Sequence, residues 1–134
     1  MSAPTPATRA VVYERDNHRC VSCGSYRVLQ FQHRQAVGMG GSKHRPGFVE
    51  GLTSCDRCNN EYEHRLQSAA LRFGWKVARW VEHPGRVPVW FPFERAWFRL
   101  TKLGTRVRVS REEAMLMMTE VYGQQYDEEK GLVA

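Results

Sequence analysis

Cys20-Val21-Ser22-Cys23-Gly24 and Cys55-Asp56-Arg57-Cys58 are the two stretches that decide how this chain folds. Each is a CxxC pair, in which one tight turn aims both sulfurs at a single point. These are all four cysteines of the chain, and a 31-residue segment separates the pairs. Four thiolates complete a closed tetrahedral zinc site, so the expected ion is structural and takes no direct part in chemistry. Four unrelated buried thiols, or a redox pair, account less well for the doubled spacing.

Outward from the pairs, the apolar pattern predicts a helix over Arg9 to Asn17, with Val11, Val12 and Tyr13 inward and Arg15 and Asp16 outward. Val28 to Arg34 alternates imperfectly, as a short strand does. Gly38 to Lys43, continuing through Pro46-Gly47, forms a flexible basic loop. After the second pair, Asn59 to Phe73 has helical character that Gly74 ends. Trp75 to Val81 and Val87 to Phe93 are rich in Trp, Val and Phe, as strands are. Glu94 to Leu100 and Thr105 to Val109 form a hairpin turning at Lys102 to Gly104. Ser110-Arg111-Glu112-Glu113 is a capping box opening a last helix through Tyr122, with Met115, Met118 and Val121 inside. The expected organisation is a tail over 1–8, a zinc domain over 9–74, a β-rich basic extension with its helix over 75–126, and an acidic tail over 127–134.

With 134 residues the chain has the length of one domain, and 42% apolar residues give it a modest core that a metal would support. No apolar run is long enough to cross a membrane. The first residues lack the hydrophobic stretch of a signal peptide, so a cytoplasmic location with reduced thiols is expected. The net charge of +6 is uneven: residues 1–65 carry 9 Lys and Arg against 6 Asp and Glu, residues 66–109 carry 9 against 2, and residues 110–134 carry 2 against 6. A basic body suits a polyanion, because neutralised phosphates release condensed counterions. A soluble basic surface with no such partner fits the charge alone equally well.

The region between the pairs narrows the reading. Arg15-Asp16-Asn17-His18-Arg19-Cys20, then Gln32-His33-Arg34, Gly38-Met39-Gly40-Gly41 and Cys55-Asp56-Arg57-Cys58-Asn59, taken together, resemble the HNH endonuclease family, in particular its small bacteriophage members from actinobacterial hosts. The resemblance covers residues 9–65. It implies an α+β fold built on a treble-clef-like ββα-metal element, a hairpin followed by a helix, with the four-cysteine zinc site at its base. It also implies hydrolysis of DNA phosphodiesters, with His33 as general base and one Mg²⁺ or Mn²⁺ stabilising the departing oxygen. An imidazole suits that task because its ordinary pKa of about 6.5 leaves it mostly neutral at pH 7.

This sequence departs from the family pattern where the second metal would bind. Gln32 stands where the family has Asp or His, Glu50 stands where it has the loop-bracing Asn, and Asn59 takes the last ligand position. Two neutral amides suit Mg²⁺ poorly. Glu63, four residues beyond Asn59, shares its face on a continuous helix and could supply a carboxylate. Its alternative is a solvated charge paired with a neighbour, and Glu50 is either a ligand or a loop brace. Arg34, Lys43, Arg45 and Arg65 are placed to meet phosphates around the site. Arg106 and Arg108, alternating with inward Val107 and Val109, form a basic stripe that Arg95 and Arg99 widen. The four tryptophans read as core. Two functions stay open: a nuclease acting on DNA, and a nuclease-inactive relative that binds nucleic acid or a phage packaging or host protein.

Overall fold

The computed structural model describes residues 3–36, 44–127 and 131–132. The chain is mixed α and β, with small antiparallel sheets and a long helix near its C-terminal end. Helix α1 (Pro6–Arg15) begins earlier than the sequence suggests, so Pro6 to Thr8 leave the expected tail. Thr5 caps it, accepting the Thr8 N–H, and Pro6 supplies a first-turn residue whose missing N–H costs nothing there. Strands β1 (Leu29–His33) and β2 (Gly51–Cys55) pair antiparallel from Leu29↔Cys55 to His33↔Gly51. Helix α2 (Asp56–Glu61) follows β2 without a break, its N-terminus capped by the Cys55 sulfur.

The expected single helix from Asn59 to Phe73 is interrupted. Helix α2 ends at Glu61, a turn follows, and α3 (Gln67–Arg72) resumes. Gly74 stops α3 at φ +73°, and a side chain there would meet the Pro88 carbonyl oxygen at 1.8 Å. Trp75 to Val81 contains no strand; Trp75, Val77 and Val81 are buried by packing instead of pairing, and Trp80 is exposed. β3 (Val89–Phe91), β4 (Ala96–Leu100) and β5 (Arg106–Val109) make a three-stranded sheet, with the expected hairpin as its β4–β5 half.

Pairing register gives this sheet two faces. Val89, Phe91, Ala96 and Leu100 look toward a core shared with Leu52, Tyr62, Trp75 and the cysteines. Trp97 and Val109 look the other way, onto α4 (Arg111–Tyr122), where Ala114, Met118 and Tyr122 are buried. Ser110 caps α4 by accepting the Glu113 N–H at 3.0 Å, as the capping sequence requires. Beyond it, β6 (Tyr126–Asp127) pairs with β7 (Gly131–Leu132), so the expected acidic tail begins as a short ladder.

The outward assignment of Arg15 and Asp16 is reversed. Both are buried and paired side by side, Nε to Oδ1 at 2.8 Å and Nη2 to Oδ2 at 3.0 Å. Arg15 also donates to the carbonyls of Phe48 and Gly51, and Asp16 accepts the Thr53 N–H. A charged pair is tolerated inside because every polar atom near it finds a partner, and here those partners are backbone groups that tie α1 to β2.

Candidate functional site

The four cysteines converge. Cys20 and Cys23 come from the turn after α1, Cys55 from the end of β2 and Cys58 from the first turn of α2. All four are free thiols whose sulfurs lie within 4.8 Å of one another, with Cys23 Sγ and Cys55 Sγ 3.7 Å apart. Four sulfurs about 2.3 Å from a central zinc stand about 3.8 Å apart along a tetrahedral edge, so the spacing fits such an ion. In the first knuckle the Gly24 N–H returns to the Cys20 carbonyl at 2.9 Å. Gly24 adopts φ +76°, and a Cβ there would sit 2.1 Å from the Phe93 ring, so both the turn and the packing require glycine.

The electrostatics favour a cation at this point. Burial raises the Cys20 thiol, but the Ser22 hydroxyl and the N–H groups of Cys23, Cys55 and Ser22 outweigh it and hold its pKa at about 6. Burial pushes Cys55 and Cys58 up, and the negative charge of Cys20 pushes the same way. Thiolates crowded this closely repel one another, and a bound dication removes that repulsion. The donor set is therefore that of a soft, four-coordinate metal ion such as zinc. Tyr62 closes the cluster from α2, its hydroxyl 2.8 Å from Ser22 Oγ and accepting from Ser54 Oγ.

The opposite end of the hairpin carries His33. It faces Gly51 across the ladder, is half-buried, and meets the Phe31 ring edge-on at 5.3 Å. Its carbonyl accepts from Lys76 Nζ at 2.7 Å, and the same ammonium stands 3.5 Å from a Glu63 oxygen. Burial lowers the Lys76 pKa and Glu63 opposes that shift. Nothing in the sequence marks Lys76, a lone lysine in an aromatic stretch.

The other expected ligands do not gather around His33. Gln32 projects to the opposite face of β1, is 1% exposed, and donates to the Trp75 carbonyl at 3.0 Å. Its Oε1 accepts nothing among the described residues, yet it is sealed from any phosphate. Asn59 donates to Gln30 Oε1 at 2.8 Å. Glu63 lies beyond the end of α2, so the continuous helical face expected to join it to Asn59 is absent. Glu50 takes the bracing role: its Oε1 accepts the Gly47 N–H and faces His44 Nε2, each at 3.1 Å. Among the described residues, the cysteines are the only grouping of three or more His, Cys, Asp or Glu side chains close enough to share an ion.

The expected phosphate contacts also sort themselves. Arg34 is a correction: it is 0% exposed and makes five hydrogen bonds, to the carbonyls of Val49, Gly74, Pro84 and Val87. Burial and the nearby Arg15 pull its pKa down to about 9, which leaves it charged at neutral pH. Arg106 is a second correction. Its guanidinium lies over the Phe91 and Phe98 rings at 4.5 and 4.1 Å and pairs with Glu94, while Val107, expected inward, is 40% exposed. Arg45 and Arg108 are exposed, and Arg65, also exposed, pairs with Glu61 at 3.2 Å. Lys43 lies outside the described residues. Of the tryptophans, Trp75 and Trp97 are buried and Trp90 half-buried, but Trp80 is 62% exposed.

No helix among the described residues is long and apolar enough to cross a membrane. The chain matches no protein-family model, and no curated protein and no solved structure matches it at significant similarity.

Proposed function

We propose that this chain is an HNH-type module that binds DNA at the loop end of the β1–β2 hairpin and hydrolyses a phosphodiester there, with zinc at the cysteines as a structural staple. One observation carries the reading. The hairpin runs directly into α2 with the four-cysteine cluster at the Leu29↔Cys55 end and His33 at the His33↔Gly51 end. That is the order and polarity a treble-clef-like ββα element needs, with its staple remote from its reacting histidine.

In this reading His33 takes the proton of the attacking water, and Lys76, bonded to the His33 carbonyl, fixes the strand end that carries the ring. Of the residues expected to hold a divalent ion, Gln32 does not fit, being sealed in the core, and Glu63 is engaged by Lys76. Glu50 fits better: its Oε1 is engaged by the Gly47 N–H and His44, but its carboxylate lines an open cleft, and Mg²⁺ is commonly held by one or two carboxylates together with substrate phosphates. Such an ion supplies charge stabilisation to the departing oxygen.

A second reading, the same scaffold binding DNA without cutting it, is favoured by the absence of a second ion-sized grouping among the described residues and by the fixed ammonium beside His33. Plasmid nicking separates the two. Under hydrolysis, Mg²⁺ or Mn²⁺ supports nicking, His33→Ala lowers it by a factor of about 10² to 10⁴ while DNA binding persists, and Glu50→Gln raises the ion concentration required. Equal, background-level products from wild type and His33→Ala, with binding intact, establish the binding module instead.

A further inference from the structure

The cleft that Glu50 lines has a second wall. It encloses about 650 Å³ and lies between the hairpin end, with Gln35, Val49 and Glu50, and two segments of the basic half. Those segments are the turn at Pro84–Arg86 and the end of β4 running into the next turn, and they bring Arg86, Arg99 and Lys102 to the same space. All three are exposed, and none lies within 4 Å of a carboxylate among the described residues.

Two carboxylates also line the cleft, each beside a histidine. Glu50 faces His44 at 3.1 Å, and Glu82 faces His83 at 3.9 Å. The three cations, Arg86, Arg99 and Lys102, outnumber the two carboxylates of the cleft, and none of the three is paired with either. Arg86 lies 13 residues before Arg99 and Lys102 three after it, so the fold brings two neighbouring segments of the basic half to one space. Guanidiniums and ammonium groups facing an open, polar cleft suit oxyanions, and phosphate above all.

We infer that Arg86, Arg99 and Lys102 form the seat of a DNA strand's phosphodiester backbone, which enters the cleft beside Glu50 and passes the hairpin end. The cleft is partly open to solvent, which leaves room for a continuing strand as well as an isolated phosphate ester. The strand is the occupant favoured here, because the cleft begins two residues from His33, at Gln35, and its far wall belongs to the most basic third of the chain. The inference rests on the proposed DNA-acting function and relocates its contacts: the positions that meet phosphate are these three, in place of Arg34 and Arg106.

The test is fluorescence anisotropy of a labelled 20-mer, single-stranded and duplex, titrated with the whole protein as purified, without chelator or added Mg²⁺ or Mn²⁺, over a salt series. Arg86→Gln/Arg99→Gln/Lys102→Gln is compared with Arg27→Gln/Arg57→Gln/Arg79→Gln, a charge-matched variant at exposed positions outside the cleft. Each lost phosphate contact lowers the slope of log K against log salt by about 0.7 to 0.9. The cleft variant is expected to lose a slope of about 2 and at least tenfold in affinity at 0.1 M salt, with the control within about twofold of wild type. Circular dichroism of both variants reports folding, which exposed positions leave intact. Equal losses in the two variants, or none in the cleft variant, overturn the inference while the DNA-acting function stands. Saturation of the cleft by a short dinucleotide phosphate with no gain from the longer strand overturns the strand as occupant. Wild-type protein that binds neither oligonucleotide removes both the inference and the function it rests on.

Discussion

The cysteine-bearing half and the aromatic half of this molecule are held together by different physics. All six buried polar or charged residues among those described, Arg15, Asp16, Gln32, Arg34, Thr53 and Ser54, precede Cys55. The interior of the second half is instead ring against ring: Trp90 and Trp97 at 5.6 Å, Phe91 and Phe98 at 5.2 Å, and Phe73 against Trp75 at 5.2 Å. The first half builds on strands and α-helices of only five or six residues apart from α1. It compensates with cross-links of high directionality, four thiols around one point and two buried arginines bonded to backbone carbonyls. Directional cross-links fail all at once when one partner is lost, whereas apolar packing degrades by increments.

The largest expected effect follows from the structural zinc proposed at the four cysteines. Removing the ion with a chelator, or Cys58→Ser, takes away a contribution of the order of 10–16 kcal/mol for a structural zinc site. The loss exceeds the whole stability of an ordinary domain, so cooperative unfolding should vanish. The core around the cysteines also contains Val89, Phe91 and Leu100, so the near-ultraviolet signal of the tryptophans should collapse with it. A chelated protein that keeps that signal would break the comparison, by showing that the aromatic half stands alone.

Second in size is Arg34. It ties the hairpin end to Gly74, Pro84 and Val87 of the following segment, so its removal orphans carbonyls on both sides of the boundary. Arg34→Met, which keeps the chain length and loses every donor, should cost on the order of 3–5 kcal/mol in urea unfolding. Arg34→Lys should recover only part, since an ammonium has three donors and no planar fork. A loss below about 1 kcal/mol would show that water replaces the guanidinium, and the two halves would then be joined by apolar contact alone.

This contrast explains what can be read from the residues. The cysteine spacing, the strand before His33, the β4–β5 hairpin and the Ser110 cap are local signals, and each appears where local rules place it. Arg15, Asp16 and Arg34 look like surface charges in the sequence because, beyond the pair Arg15 and Asp16 make with each other, their partners are backbone carbonyls and amides, which carry no sequence signature. Trp75 to Val81 reads as a strand by composition, but β propensity records a fit to a half-buried surface, and packing alone provides that surface here. Among the candidate site residues, sequence distance cannot reveal that α2 stops before Glu63, or that Lys76 reaches His33 across 43 positions.

Arg106 tests the comparison inside the second half, where one charge has been taken into the aromatic layer. Arg106→Ala removes two cation–ring contacts and the pair with Glu94, and should cost about 1–2 kcal/mol. Arg108→Ala, two residues away on an exposed position, should change stability by less than about 0.5 kcal/mol. Equal costs from thermal unfolding of the two variants would mean that the rings gain nothing from the guanidinium above them.

The smallest effects come from a device both halves share, and they set the scale for the rest. Thr5 accepts the Thr8 N–H at 3.1 Å to start α1, and Ser110 accepts the Glu113 N–H at 3.0 Å to start α4. Each hydroxyl satisfies one of the amide groups that a helix start leaves without an internal acceptor, and alanine cannot. Thr5→Ala and Ser110→Ala should each cost about 1 kcal/mol, despite the different interiors beneath the two helices, because a cap acts within its own first turn. The caps share no hydrogen-bond partner, so the double variant should equal the sum of the singles within about 0.5 kcal/mol. Urea unfolding of the four proteins measures this directly. A double variant that departs from the sum by more than about 1 kcal/mol would show that α1 and α4, which pack on different sheets, are energetically coupled, so that the polar and the aromatic halves unfold as one cooperative unit even at their edges.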